Sequence, residues 1–174
     1  IPYVKEDTTE FLLNVKAVRL RSLSGRPSKL TLEMEGKGQV CAADIKPSTD
    51  FEIVNPELYL ATLDSPKARL YVEFNVELGV GYRQAESSDN LPADTIPVDA
   101  TFTPIRKVNF TVEPTHTGRE ISRERLCLEV WTDGTITPTE AISQGADILV
   151  KQLSLFAAYA RTPQIEAEEE RVQE

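Results

Sequence analysis

Between residues 104 and 160 the sequence sets out a strand, a second strand, a glycine turn and a capped helix in unbroken succession. Val108, Phe110 and Val112 alternate with Asn109, Thr111 and Glu113; Leu126, Leu128 and Val130 alternate with Cys127, Glu129 and Trp131. A period of two assigns each set to one face of a half-buried strand. The polar stretch Glu113 to Glu124 is expected to connect the two as a long-armed hairpin, and Asp133-Gly134 is a strong turn signal. Thr137-Pro138-Thr139-Glu140 then supplies an N-cap, a proline at the first helical position and a capping-box glutamate. A helix is predicted from Pro138 to Ala160, closed by Thr162-Pro163. Ile142, Ala146, Leu149, Leu153, Phe156 and Ala160 form one stripe of it, while Ala141, Ile148, Val150, Leu155 and Ala157 lie off that stripe. A helix so widely apolar is expected to be buried by more than one neighbour. No set of catalytic side chains falls in this block, which therefore points to scaffolding and assembly.

Upstream, Asp7 and Glu10 form an N-cap pair ahead of Phe11, Leu12 and Val15, so a short helix is predicted over residues 8–15. Val18 and Leu20 alternate with Arg19 and Arg21 in a following strand. Leu30, Leu32 and Met34 alternate with Thr31, Glu33 and Glu35 in another, after a turn through Gly25 and Pro27. Leu70, Val72, Phe74, Val76 and Leu78 make the clearest alternation in the chain, a long antiparallel-type strand with one wet face. Gly79 and Gly81 end it, and the polar loop from Arg83 to Ala93 is expected to be mobile at its tip. The fold class expected is α+β.

Chemistry is sparse. The Gly36-x-Gly38 pair lacks the helix start that a phosphate cradle needs, and reads as a strand-edge turn. His116 is the sole histidine, in a polar stretch with no constellation around it. Asp44, Asp99 and Asp133 lie in separate segments and read as turn caps, not as a carboxylate pair. Asn109-Phe110-Thr111 matches a glycosylation acceptor by chance in mid-strand, and Trp131 reads as packing. Cys41 and Cys127 are too few for a disulfide framework or a zinc site, and read as reduced core thiols of a cytoplasmic protein. No cofactor is expected. With 28 acidic and 19 basic residues the net charge is −9, which disfavours direct nucleic-acid binding. No apolar run reaches the roughly 18 residues of a membrane span. The chain opens on Ile1, as an excised piece would, and residues 161–174 read as an acidic tail.

Several runs carry a family resemblance. VDATFTPIRKVNFTVE and LCLEVWTDGTITPTEAI are similar to two motifs of the amino-terminal region of the bacterial-type RNA polymerase alpha subunit, and VCAADI, FEIVNPELYLATL and FLLNVKAVRLRS resemble three further ones, in family order over roughly residues 5–160. The resemblance implies an insert domain over residues 1–103 and the second part of an interrupted dimerisation domain over 104–160. It implies a non-catalytic assembly scaffold that forms a homodimer and docks the beta and beta-prime subunits, without touching nucleic acid or membrane. Ile142, Ala146, Leu149, Leu153 and Phe156 would lie in the dimer interface. Gly36, Gly38 and Asp44 in the Gly36–Ile45 loop, with Val98 and Asp99 as a strand, would face beta and beta-prime. The family's first dimerisation segment has no counterpart here, so imperfect self-assembly is expected. Met34-Glu35 also stands where the family often has a basic residue. The alternative is a free-standing acidic β-rich binding module.

Overall fold

The structure, a computed structural model, describes residues 1–85, 92, 94–117 and 120–159, without the side chains of 115–123. The tip of the loop before Ala93, the His116 side chain, Ala160 and the acidic tail therefore lie outside the described residues. The fold is α+β, as the patterns require: antiparallel strand pairs and a long C-terminal helix. Two compact units are present, 1–137 and 138–174.

The first helix, α1, spans Thr8–Lys16 and begins with the predicted reciprocal cap. Glu10 N–H donates to Asp7 Oδ1 at 2.8 Å, and Asp7 N–H to Glu10 Oε2 at 3.3 Å. Four amides at a helix start lack intrahelical acceptors, and this exchange satisfies two donors at once. Phe11 is the buried residue of α1, and Asn14 Nδ2 donates 3.0 Å to the Leu60 carbonyl.

Strand β1 (Leu20–Ser22) is followed by β2 (Ser28–Glu35), β3 (Gly38–Cys41), β4 (Phe51–Ile53), β5 (Tyr59–Leu63) and β6 (Arg69–Val76). They pair antiparallel as β1 with β4, β2 with β6 and β3 with β5. Alternation along β2 and β6 works as read: Leu30 and Leu32 sit opposite Phe74 and Val72 on the core face. The other face carries ion pairs such as Arg69–Glu35 at 2.8 Å and Lys29–Glu73 at 3.7 Å. Strand β6 stops at Val76, short of Leu78, which is exposed. The core gathers Phe11, Leu30, Leu32, Val40, Ile45, Phe51, Leu60, Ala61, Leu63, Ala68 and Leu70. The N-terminal segment is laid along β5: Lys5 N–H donates to Thr62 O at 3.0 Å, and Asp64 N–H to Tyr3 O at 3.0 Å. Glu6 fastens it, accepting from the Tyr59 hydroxyl and, at 2.7 Å, from the Thr62 amide.

The short strands β7 (Tyr82–Arg83) and β8 (Ala100–Thr101) pair with each other. The hairpin follows as β9 (Ile105–Thr117) and β10 (Glu120–Thr132). Here the expectation needs correcting: most of the polar stretch from Glu113 is ladder, not connection. Thr115 pairs with Arg123, Pro114 with Glu124 and Glu113 with Arg125. Backbone hydrogen bonds sustain a two-stranded ribbon there without the apolar alternation that marks a half-buried strand. Helix α2, Pro138–Tyr159, starts where predicted.

Two further readings change. Trp131 is 44% exposed, with the Lys107 ammonium 4.9 Å above its ring, so it is not core packing. Cys41 and Cys127 are free but only half-buried. No described residue of α2 is buried.

Candidate functional site

The apolar stripe of α2 is its most conspicuous surface. Ile142, Ala146, Leu149, Leu153 and Phe156 recur at spacings of three and four and are all exposed. A second row, Ile148, Leu155 and Tyr159, is exposed beside it. Solvated helices normally confine their apolar residues to a covered side. Rows left open on this scale mark a surface built to be covered.

The hairpin adds a surface that sequence reasoning read only as strand. Register pairs Leu126 with Val112, Leu128 with Phe110 and Val130 with Val108, which brings six apolar side chains onto one face. Val108, Phe110, Val112, Leu126 and Leu128 are all exposed. The opposite face holds Asn109 donating 2.9 Å to Glu129, the Arg125–Glu113 ion pair and Lys107 over Trp131. The available signal was the pairing of two alternating runs with no third alternating run beside them.

The five residues expected to dock beta and beta-prime fall into two groups, and among the described residues no hydrogen bond or ion pair joins the groups. Gly36 forms the β2–β3 turn at φ +86°, its amide donating 2.9 Å to Ala68 O. Gly38 opens β3 opposite Leu63. The expected loop is therefore largely structured: β3 leads into a 3-10 turn, Ala42–Asp44, and Val40, Ala42 and Ile45 are buried in the core. Asp44 works inside this turn, its Oδ2 accepting 2.8 Å from the Cys41 amide.

Val98 and Asp99 are not strand residues; pairing begins at Ala100. Asp99 is held by side chains instead. Its Oδ2 takes the Lys16 ammonium at 2.5 Å and the Tyr82 hydroxyl at 3.0 Å. The Lys16 hydrogen bond, followed by that of Tyr82, keeps the Asp99 carboxyl below the usual carboxylate range. Each donor is raised by its own bond to Asp99, Lys16 by one and Tyr82 by the other. Neither partner of Asp99 was foreseen, since both are distant in sequence. At Glu6 burial pushes the carboxyl up, but the Tyr59 hydroxyl and the Thr62 amide outweigh it and the net shift is downward.

Among the described residues no group of three or more His, Cys, Asp or Glu could hold a metal ion. No helix among them is long and apolar enough to cross a membrane. Residues 1–103, from the N-terminal segment through β8, match the family described as the RNA polymerase Rpb3/RpoA insert domain.

The chain belongs to that family.

Its relatives carry the likeness past the insert. The DNA-directed RNA polymerase subunit alpha of Dehalococcoides mccartyi (strain CBDB1) is 60% identical over 170 residues, 97% of this chain and 52% of that protein. The subunit alpha of Herpetosiphon aurantiacus is 50% identical over 158 residues, 91% of this chain and 48% of its own length. That of Roseiflexus sp. (strain RS-1) is 46% identical over 161 residues, 92% of this chain and 50% of its own length. The chain spans about half the length of the curated relatives it matches. The reading as a free-standing acidic module is not favoured by this company.

Proposed function

We propose that this member of the insert-domain family serves as a non-catalytic assembly scaffold of a DNA-directed RNA polymerase. Residues 1–103 act as the insert domain and 104–160 as the second part of the dimerisation domain. Two copies associate through Ile142, Ala146, Leu149, Leu153 and Phe156. The β2–β3 turn with Asp44, and the Val98–Asp99 segment, dock beta and beta-prime. The observation that carries this reading is the exposed apolar surface of α2 and of the β9–β10 face, in a chain 60% identical over most of its length to a polymerase subunit alpha. Obligate interfaces look like a domain core cut in half and commonly exceed about 2,000 Å². The surface needs no catalytic group to do this work, and the net charge of −9 is consistent with contacts to protein instead of nucleic acid.

The test is reconstitution. The chain, extended to the full length of its relatives, is mixed with purified beta and then beta-prime and resolved by size exclusion. A complex of two copies with one beta, which then takes up beta-prime, is expected. Leu149→Asp with Leu153→Asp should abolish it by leaving buried unpaired charges. Assembly that proceeds unchanged with that variant would remove α2 from the interface.

A further inference from the structure

Arg19 and Arg21 stand two residues apart at β1 and both reach the turn between β10 and α2, more than a hundred residues away. Arg21 donates from Nε to the Thr135 carbonyl at 2.9 Å and from one terminal nitrogen to the Gly134 carbonyl at 3.2 Å; its other terminal nitrogen meets Glu52 of β4 at 3.2 Å. The Asp133 side chain is only 9% exposed, and its two oxygens have separate duties. Oδ1 accepts from the amide and hydroxyl of Thr135, at 3.0 and 2.5 Å, and shapes the turn. Oδ2 faces Arg19 at 3.9 Å and Arg106 at 3.8 Å. These two distances lie beyond hydrogen-bond range, so Oδ2 acts as a charge between two cations, while Arg21 supplies the directional bonds.

The location gives the cluster its consequence. The Asp133 amide donates 2.9 Å to the carbonyl of Pro104, next to the point where the chain leaves β8 and enters the hairpin. One covalent connection leaves rotation about itself free. Arg19 just before β1, Arg21 on β1 and Glu52 on β4 belong to a second part of the insert portion, and so add a tether off that axis. Gly134, at φ +92°, lets the turn approach closely: a Cβ there would sit 3.2 Å from Val54 Cγ1.

We propose that Arg21 and Asp133 form a clamp that fixes the angle between the insert portion and the β9–β10 hairpin. Removing the clamp releases rotation at residues 103–104 while each part stays folded. This holds whatever the chain assembles with. The turn lies a few residues before Pro138, so the clamp also anchors the segment from which α2 departs.

Spin labels at Lys67→Cys, on an exposed position of the insert portion, and Glu124→Cys, on the hairpin, report the angle. They are placed in the full 174-residue chain with Cys41→Ser and Cys127→Ser, and their separation is read by pulsed electron resonance. A single narrow distance distribution is expected, and Arg21→Ala should at least double its width. Asp133→Asn keeps a side-chain acceptor for the turn but removes the charge, and should broaden the distribution less. Arg26→Ala, an exposed arginine outside the cluster, should leave it unchanged. Circular dichroism separates release from unfolding; if Arg21→Ala unfolds, Arg21→Gln takes its place. An unbroadened distribution in the folded Arg21 variant, or equal broadening by Arg26→Ala, overturns the clamp.

Discussion

Replacing Leu149 and Leu153 together by alanine tests the assembly reading at its centre, and the structure supplies the magnitude. Each leucine is 60% exposed in the isolated chain. Burying a leucine fully contributes about 1.5–3 kcal/mol, so covering the open part contributes about 1–2 kcal/mol per side chain. In a two-fold dimer every substitution occurs on both sides of the interface. The four leucines of the dimer amount to about 4–8 kcal/mol. Since alanine keeps roughly a quarter of that apolar surface, the double variant forfeits about 3–6 kcal/mol of association, a rise in Kd of roughly 10²- to 10⁴-fold. Alanine is the best helix former, so α2 itself should persist. Sedimentation equilibrium over a concentration series reads the Kd, with circular dichroism to check helix content. Lys151→Ala is the matched control: it removes a long side chain of the same helix from the side opposite the stripe. An unchanged Kd in the leucine variant, or an equal loss in the Lys151 variant, would refute the stripe as the contact surface.

Asp7→Ala breaks the reciprocal cap of α1 and should cost about 1 kcal/mol. For a chain of this size that is a fall in Tm of about 2–4 °C, measured by thermal denaturation, with Asp7→Ser as the variant that restores it. Gly79→Ala would place a Cβ 2.6 Å from the Phe102 ring, which carries Arg83 on one face at 5.0 Å. Overpacking of this kind costs about 1–3 kcal/mol, and Phe102→Ala in the same chain should relieve it; a Tm equal to the parent's would contradict the clash. Asp99 bears on pH. Its folded pKa is depressed by Lys16 and Tyr82, so its stabilising effect is fully present above the ordinary carboxylate range and is lost as pH falls through the folded value. Asp99→Asn should therefore lower Tm at neutral pH, and the gap to the parent should close on acidification. A gap that stays constant with pH would show that the Lys16 ion pair contributes nothing.

How far the sequence could be read depended on whether its signals were local. The cap at Asp7 and Glu10, the Thr137-Pro138 helix start and the β2 and β6 alternation involve residues within a few positions of one another, and each appears in the structure as expected. Strands β4 and β5 were visible only through the family resemblance, since FEI and YLATL are too short to show a period. The outer hairpin was missed for a different reason: its polar sequence has no apolar alternation to display. In α2 the wide apolar arc was legible, but not what would cover it. Apolar rows specify a surface that gains by being covered, not which chain covers it.

The same limit explains the arginines of β1. Alternation sorted Arg19 and Arg21 with the wet face, opposite Val18 and Leu20, and that assignment of face was sound. A wet face is water-exposed only if nothing polar docks on it, and here the Asp133–Thr135 turn does. The turn was legible too: Asp-Gly at residues 133–134 is a strong turn signal, and Gly134 adopts a positive φ there. Its bare carbonyls and half-used carboxylate are acceptors that a tight turn cannot satisfy internally. Two guanidiniums on one strand face and a turn rich in acceptors are complementary groups. The arginines were read as the polar side of a strand and the turn as a turn, and only the topology brings them together, with Arg106 of β9 meeting the same Asp133 carboxylate.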